Sequence, residues 1–185
     1  MALLWYLDRA TGLVAYPVLF LAVVTGIVYN TPDFGRLYTA ARRIHIEISV
    51  FATLLLLAHG LVGAVDSVSV LVGSVPAPNY PLWYFVAGSL VGVSGLFLLV
   101  VAVLGFVDAR RFRGRWGPRT VNALAYGGYG FATIHLVAIG TDIGPAWRLA
   151  TLAGLGVVIY LLVFRLLVRS SFFVTDLDVR RESHD

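Results

Sequence analysis

The chain has 185 residues, 59% of them hydrophobic and only 13% charged, a balance far from that of a soluble domain and one that points to a polytopic membrane protein. It contains no cysteine, which excludes disulfides, thiolate metal sites and thiol catalysis. All 14 basic residues are arginine, and because they gather in loops and the tail, the net charge of +4 reports topology and not nucleic-acid binding.

Five apolar segments, 10–29, 44–65, 82–107, 121–141 and 146–168, are each long enough to cross a hydrocarbon core of about 30 Å. They predict an all-α membrane bundle of five transmembrane helices forming one domain over 1–168, with a polar cytoplasmic tail over 169–185. No secretory signal is expected, since the N-terminus lacks a basic region and Asp8-Arg9 interrupt its apolar start.

The first segment begins beside Arg9. This arginine can snorkel to the interface and pair with Asp8, the plainer reading, or meet an anionic group such as a haem propionate. Pro17 is expected to kink the helix without ending the span. Three arginines follow in the first loop, Arg36, Arg42 and Arg43.

The second segment carries a histidine toward each end. His45 and His59 are fourteen positions apart, about 40° short of four full helical turns, so they share a stripe and lie about 21 Å apart along the axis. An ionisable side chain inside an apolar span is costly and marks a functional site by default. His45 borders Arg43 and Glu47 at the cytoplasmic interface, where a solvated histidine needs no further explanation.

The arginine-free second loop holds Pro76-Ala77-Pro78-Asn79-Tyr80-Pro81, which is extended and helix-breaking. Trp83 and Tyr84 then read as interfacial anchors. The third segment has no histidine or charge, and Gly88, Gly92 and Gly95 suggest close helix packing, so it reads as scaffold. The third loop carries five arginines, Arg110, Arg111, Arg113, Arg115 and Arg119.

The fourth segment places His135 alone in an uncharged span, about six residues from its outer end, as His59 is from the outer end of the second. A packing histidine is the alternative for either residue. Equal depth on two helices running the same way favours a pair of ligands, since facing imidazoles from two helices are how bundles hold a haem iron. Gly127, Gly128 and Gly130 leave room for a flat macrocycle or serve helix packing. Arg148 precedes the last segment, on the side where propionates of such a haem would emerge. Four further arginines, Arg165, Arg169, Arg180 and Arg181, end the chain, and His184 lies in the polar tail. With positive residues kept inside, the N-terminus is outside and the C-terminus inside.

Laid end to end, Arg9-Ala10-Thr11-Gly12-Leu13-Val14-Ala15-Tyr16, the pair His45 and His59, Pro81-Leu82-Trp83, the Asn122…Tyr126…His135 helix and Gly140-Thr141-Asp142 resemble the ferric reductase-like transmembrane domain family. That family includes the membrane parts of ferric reductases and NADPH oxidases and the haem subunit of bacterial methionine sulfoxide repair. The resemblance implies b haems, each clamped by one histidine from each of two helices. Carried over, His59 and His135 would hold the outer haem, and His45 would face Asn122 at an inner level. Asparagine is a poor haem ligand, so the inner site reads as lost. Asn122 and His135 are thirteen positions apart, about 220° on a regular helix, so a π-bulge would be needed to align them.

The expectation is therefore a multi-pass protein of a prokaryotic cytoplasmic membrane, surrounded by lipid. It would carry one haem b, with His59 and His135 as axial ligands and Arg9 and Arg148 as propionate partners, and move single electrons as an oxidoreductase component. The chain shows no flavin or nicotinamide site, so a separate donor is expected, a quinol or a partner reductase. The alternatives are a non-enzymatic haem sensor or assembly subunit that kept one haem, and a small transporter without cofactor. The arginine alternation makes one outcome specific: a cysteine placed at Arg113 in this Cys-free chain should resist an impermeant thiol reagent in intact cells. Labelling from outside would invert the topology.

Overall fold

Glycine, proline and side-chain caps divide the chain into its elements. The computed structural model describes residues 2–74, 81–107, 117–140 and 143–182, and among them the regular structure is α-helical apart from one 3-10 turn. The helices are α1 (Ala2–Tyr29), α2 (Arg36–Leu71), α3 (Leu82–Val107), α4 (Pro118–Ile139) and α5 (Pro145–Glu182). Helix α1 runs on through Pro17 and ends where Asn30 Nδ2 donates to the Gly26 carbonyl (2.6 Å) and Thr31 Oγ1 to that of Ile27 (2.9 Å). Both carbonyls also accept the Asn30 N–H, at 3.2 and 3.1 Å, so the side chains reinforce the last turn. The 3-10 turn Pro32–Phe34 follows, and Gly35, at φ +54°, swings the chain into α2. Gly73, at φ +71°, closes the far end of α2 in the left-handed conformation. Pro118 opens α4 at its first helical position.

Helices α1, α2, α3 and α5 are each long and apolar enough to cross a membrane. The third segment coincides with α3, while α1, α2 and α5 overrun theirs. The 36 residues of α2 extend about 54 Å at 1.5 Å each, against an apolar core of about 30 Å. Helix α5 continues to Glu182, into the stretch expected as a tail. Helix α4 falls short of the same apolar standard, because Asn122, Tyr126, Tyr129, Thr133, His135 and three glycines dilute it. The loop residues Pro76 to Tyr80, the arginines at 110, 111, 113 and 115, Thr141-Asp142 and His184 lie outside the described residues.

Helices α1 and α2 pack lengthwise as one antiparallel hairpin and α3 and α4 as a second; α2 also meets α3, and α1, α4 and α5 touch one another. Among the described residues α2 and α4 do not pack backbone to backbone. The core is centred on α1, whose Ala15, Leu19, Ala22, Val23 and Ile27 recur at helical spacing on one buried face. Ala52, Leu99, Tyr129 and Val158 complete it, one from each other helix. Large apolar side chains such as Leu54, Leu61, Leu90, Phe97, Leu152 and Leu166 face outward, as helices bathed in lipid require.

One polar layer ties α1 to α4. The Tyr16 hydroxyl lies 3.0 Å from both the Tyr129 hydroxyl and Thr133 Oγ1, and the two tyrosine rings stack with centroids 5.7 Å apart. Thr133 Oγ1 in turn donates to the Tyr129 carbonyl at 2.9 Å. Nearer the start of α4, Arg165 of α5 donates from Nη1 to the Tyr126 hydroxyl at 3.1 Å. Tyr129 is the largest fully buried side chain. Its truncation to alanine should cost about 3–5 kcal/mol, as for buried aromatics generally. Tyr129→Phe, which removes one interhelical hydrogen bond, should cost only about 0.6 kcal/mol. Unfolding in detergent measures both, and equal losses would mean that the hydroxyl and not the ring holds this contact.

Candidate functional site

Each hairpin contributes one histidine, and each histidine is held by the helix it is paired with. On α2, His59 donates from Nδ1 to the Asp8 carbonyl of α1 at 2.9 Å. On α4, His135 donates from Nδ1 to the Gly88 carbonyl of α3, also at 2.9 Å. The donor assignment follows because a carbonyl can only accept, which fixes the proton on Nδ1 in both rings. In the neutral ring Nε2 is then left with its lone pair. Among the described residues neither Nε2 has a hydrogen-bond partner.

Glycines make these approaches possible. A Cβ at position 12 would sit 2.9 Å from His59 Cε1, and one at position 92 only 2.6 Å from His135 Nδ1. In each case the glycine lies one helical turn beyond the carbonyl that accepts the bond, four residues after Asp8 and four after Gly88. A side chain there would stand between imidazole and carbonyl. Helix α3, expected as scaffold, therefore supplies both the acceptor and the clearance for His135.

The two imidazoles come together between the hairpins, with ring centroids 6.2 Å apart and planes at 68°. Thus the expected pair His59 and His135 is brought to one level, edge against face. Asp8 adds a charge to one side of it. Its Oδ1 lies 3.1 Å from His59 Nδ1 and is buried without a hydrogen bond, in space that Gly63 leaves clear. Asp8 is thus turned toward His59, whereas Arg9 places its guanidinium carbon 3.8 Å above the Trp5 ring. Arg148 is exposed on the first turn of α5. Tyr84, expected as an interfacial anchor, instead donates its hydroxyl to the Ala138 carbonyl at 3.0 Å and locks α3 to α4 beside the site.

The other expected residues are not brought together. His45 lies within the first hairpin, its Nδ1 3.3 Å from Thr25 Oγ1 and 3.4 Å from Ser49 Oγ, and its ring stacks on Tyr29 at 5.8 Å. Among the described residues no hydrogen bond joins it to Asn122. Helix α4 is regular from Pro118 to Ile139, without the π turn that would carry Asn122 onto the face of His135. Gly128 serves close packing: a Cβ there would be 2.6 Å from Leu99 of α3. The sequence held one unread signal for Gly12 and Asp8. Thr11-Gly12 and Thr25-Gly26 are spaced by fourteen, as are His45 and His59, and a Cβ at Gly26 would be 2.8 Å from His45 Cε1.

With that geometry in hand, comparison with known proteins gives one match, over residues 3–142, to the family described as Domain of unknown function (DUF8596). The chain belongs to this family. No curated protein and no solved structure matches it. The matched DUF8596 stretch takes in α1 to α4 and so includes Asp8, Gly12, His59, Gly88, Gly92 and His135. A matched pair of substitutions tests the glycine clearance in this DUF8596 protein. Gly92→Ala drives a methyl into the His135 ring and should destabilise by about 1–3 kcal/mol. Gly130→Ala, whose methyl meets open space, should be neutral or stabilise by up to about 1 kcal/mol. Thermal unfolding in detergent that ranks them equally would remove the steric account of position 92.

Proposed function

We propose that this protein is a membrane b-type cytochrome with one haem held by His59 and His135, passing single electrons within a ferric reductase-like system. The observation that carries this reading is the paired imidazoles, each with Nδ1 committed to a helix carbonyl and Nε2 open. That is the tautomer a metal ligand needs, with the hydrogen-bonded second partner that orients ligating histidines. The two rings lie with centroids 6.2 Å apart, near enough that His59 and His135 could hold one metal-bearing group between them.

The donor set favours haem over a bare ion. Among the described residues no group of three or more His, Asp or Glu side chains is placed to hold a metal. Two imidazoles suit an iron that a macrocycle already ligates four times. The group would supply reversible one-electron chemistry; the protein supplies the ligands, their orientation and an apolar surround. We further propose that α4 crosses the bilayer as a fifth span, shielded by its neighbours, with the N-terminus outside and the C-terminus inside. Arg9 and Arg148 then lie toward the outer end, where either can meet a propionate. The membrane is a prokaryotic cytoplasmic one, and the donor a quinol or a partner reductase.

A second reading, a haem sensor or assembly subunit without electron throughput, is favoured by the inner level. There His45 is engaged by Thr25, Ser49 and Tyr29 within its own hairpin. Reduction of the haem by quinol, or by membranes given NADH, separates the two readings.

The proposal requires one haem per chain by pyridine haemochrome assay, low-spin and six-coordinate. His59→Ala and His135→Ala should each abolish the low-spin spectrum, while His45→Ala leaves it intact. Two haems per chain would overturn the single-site reading, and a low-spin spectrum surviving in His135→Ala would overturn the ligand pair.

A further inference from the structure

The two ligands proposed above are not held alike, and the difference lies in Asp8. His135 is held by the carbonyl of a glycine, with no charge from that residue. His59 is held by the carbonyl of a residue whose own carboxylate stands 3.1 Å from the same nitrogen. The Nδ1–H cannot serve both acceptors well. It is aimed at the carbonyl, and Asp8 Oδ1 is left buried without a hydrogen bond. Burying a carboxylate oxygen whose contact is a shared imidazole N–H is costly, so its place beside the imidazole calls for a reason beyond orientation.

The first hairpin supplies its own comparison. Thr11 Oγ1 donates to the Leu7 and Asp8 carbonyls (2.7 and 2.9 Å), and Thr25 Oγ1 donates to those of Leu21 and Ala22 (2.7 and 3.1 Å). Gly12 clears His59 as Gly26 clears His45. The arrangement is thus repeated at both levels, fourteen residues apart, but where the outer copy has Asp8 the inner copy has Ala22. The local fold holds a histidine at the inner level without a carboxylate. The carboxylate is an addition at the outer one, accommodated by Gly63, whose Cβ would lie 2.9 Å from Oδ1.

We infer that Asp8 is a positioning residue that sets the reduction potential of the haem through His59, lowering it by placing negative charge against the ligand's distal nitrogen. This rests on the haem reading. A carboxylate beside Nδ1 makes the imidazole a stronger donor and favours the more positive, ferric state of the iron. The effect is separable from orientation, because the orienting bond uses the Asp8 backbone and survives any side-chain change. Arg9 and Asp66, the charged neighbours within electrostatic reach, stay in place in the variant.

The test uses the full chain purified in detergent, with Asp8→Asn, Asp8→Glu and, as a control, Asp33→Asn in the 3-10 turn beyond the far end of α1. Haem content is measured first, then the midpoint by potentiometric titration and the low-spin ferric signal by electron paramagnetic resonance. Asp8→Asn should keep one low-spin haem and shift its oxidised-to-reduced ratio at fixed potential about tenfold toward reduced, an upward move of about 59 mV for a one-electron couple. Its resonance should change with it, while Asp8→Glu stays near wild type and Asp33→Asn does not move. Full haem with an unmoved midpoint in Asp8→Asn overturns the role of Asp8, as does an equal shift in Asp33→Asn. Loss of haem from a folded Asp8→Asn also overturns it, since the orienting carbonyl is still present. A wild-type chain without haem instead overturns the cytochrome reading, and this inference falls with it.

Discussion

A histidine reaching over a glycine to share a helix carbonyl is the contact on which the site depends. A carbonyl in mid-helix already accepts the N–H four residues on, and its second lone pair is reachable only from the side. The side chain one turn ahead guards that approach. Gly12 ahead of Asp8 and Gly92 ahead of Gly88 open it, and His59 and His135 enter. In an apolar surround the Nδ1–H has no water to fall back on, so the bond persists and the tautomer is fixed. Pairing α1 with α2 and α3 with α4 is therefore what holds the two imidazoles at a common level.

The two hairpins differ in how far this device extends. In the first the glycine clearance occurs twice, at His59 over Gly12 and at His45 over Gly26, although His45 Nδ1 rests against the hydroxyls of Thr25 and Ser49. In the second it occurs once. Fourteen residues inward from Gly92 and His135 stand Phe106 and Val121, and Val121 is already within 3.4 Å of a Cβ built at Gly105, which fixes that register. The inner half of the second hairpin is thus filled with apolar side chains where the outer half has a glycine and a ligand. A histidine pair can form at one level only, whatever is made of Asn122.

Much of this was legible in the sequence, for physical reasons that also explain the rest. Hydropathy placed α3 at its observed bounds because its ends coincide with the ends of its apolar run. It shortened α1, α2 and α5, because helix continues wherever backbone bonds can be made, while apolarity stops at the interface. Equal depth pointed to His59 and His135, whose rings lie 6.2 Å apart. What the sequence concealed was orientation. Adjacency in sequence gives Asp8 and Arg9 no direction; in a helix consecutive side chains point about 100° apart, and Asp8 Oδ1 faces His59 of α2 while the Arg9 guanidinium lies over Trp5. The glycines of α3 read as packing because a carbonyl's availability leaves no trace in residue type. Only the fourteen-residue recurrence of Thr-Gly in register with His45 and His59 carried that information.

Under the proposed cytochrome reading, the position of the site bears on how electrons could reach it. On the proposed topology, His59 and His135 lie toward the outer face, and the cytoplasmic end of α2 is marked by His45, about 21 Å inward along the helix. The interval is not empty: Tyr16, Tyr129 and Thr133 form a bonded layer just inside the histidines, and Tyr126 with Arg165 lies further in. With one histidine pair and no second level, a soluble cytoplasmic donor would face that whole interval without an intermediate carrier. A donor dissolved in the bilayer faces no such distance. Helices α2 and α4 do not close on each other, so the site is bordered by helices whose outer surfaces are apolar and lipid-facing. If the proposed haem and topology hold, this placement favours a membrane quinol over a soluble donor.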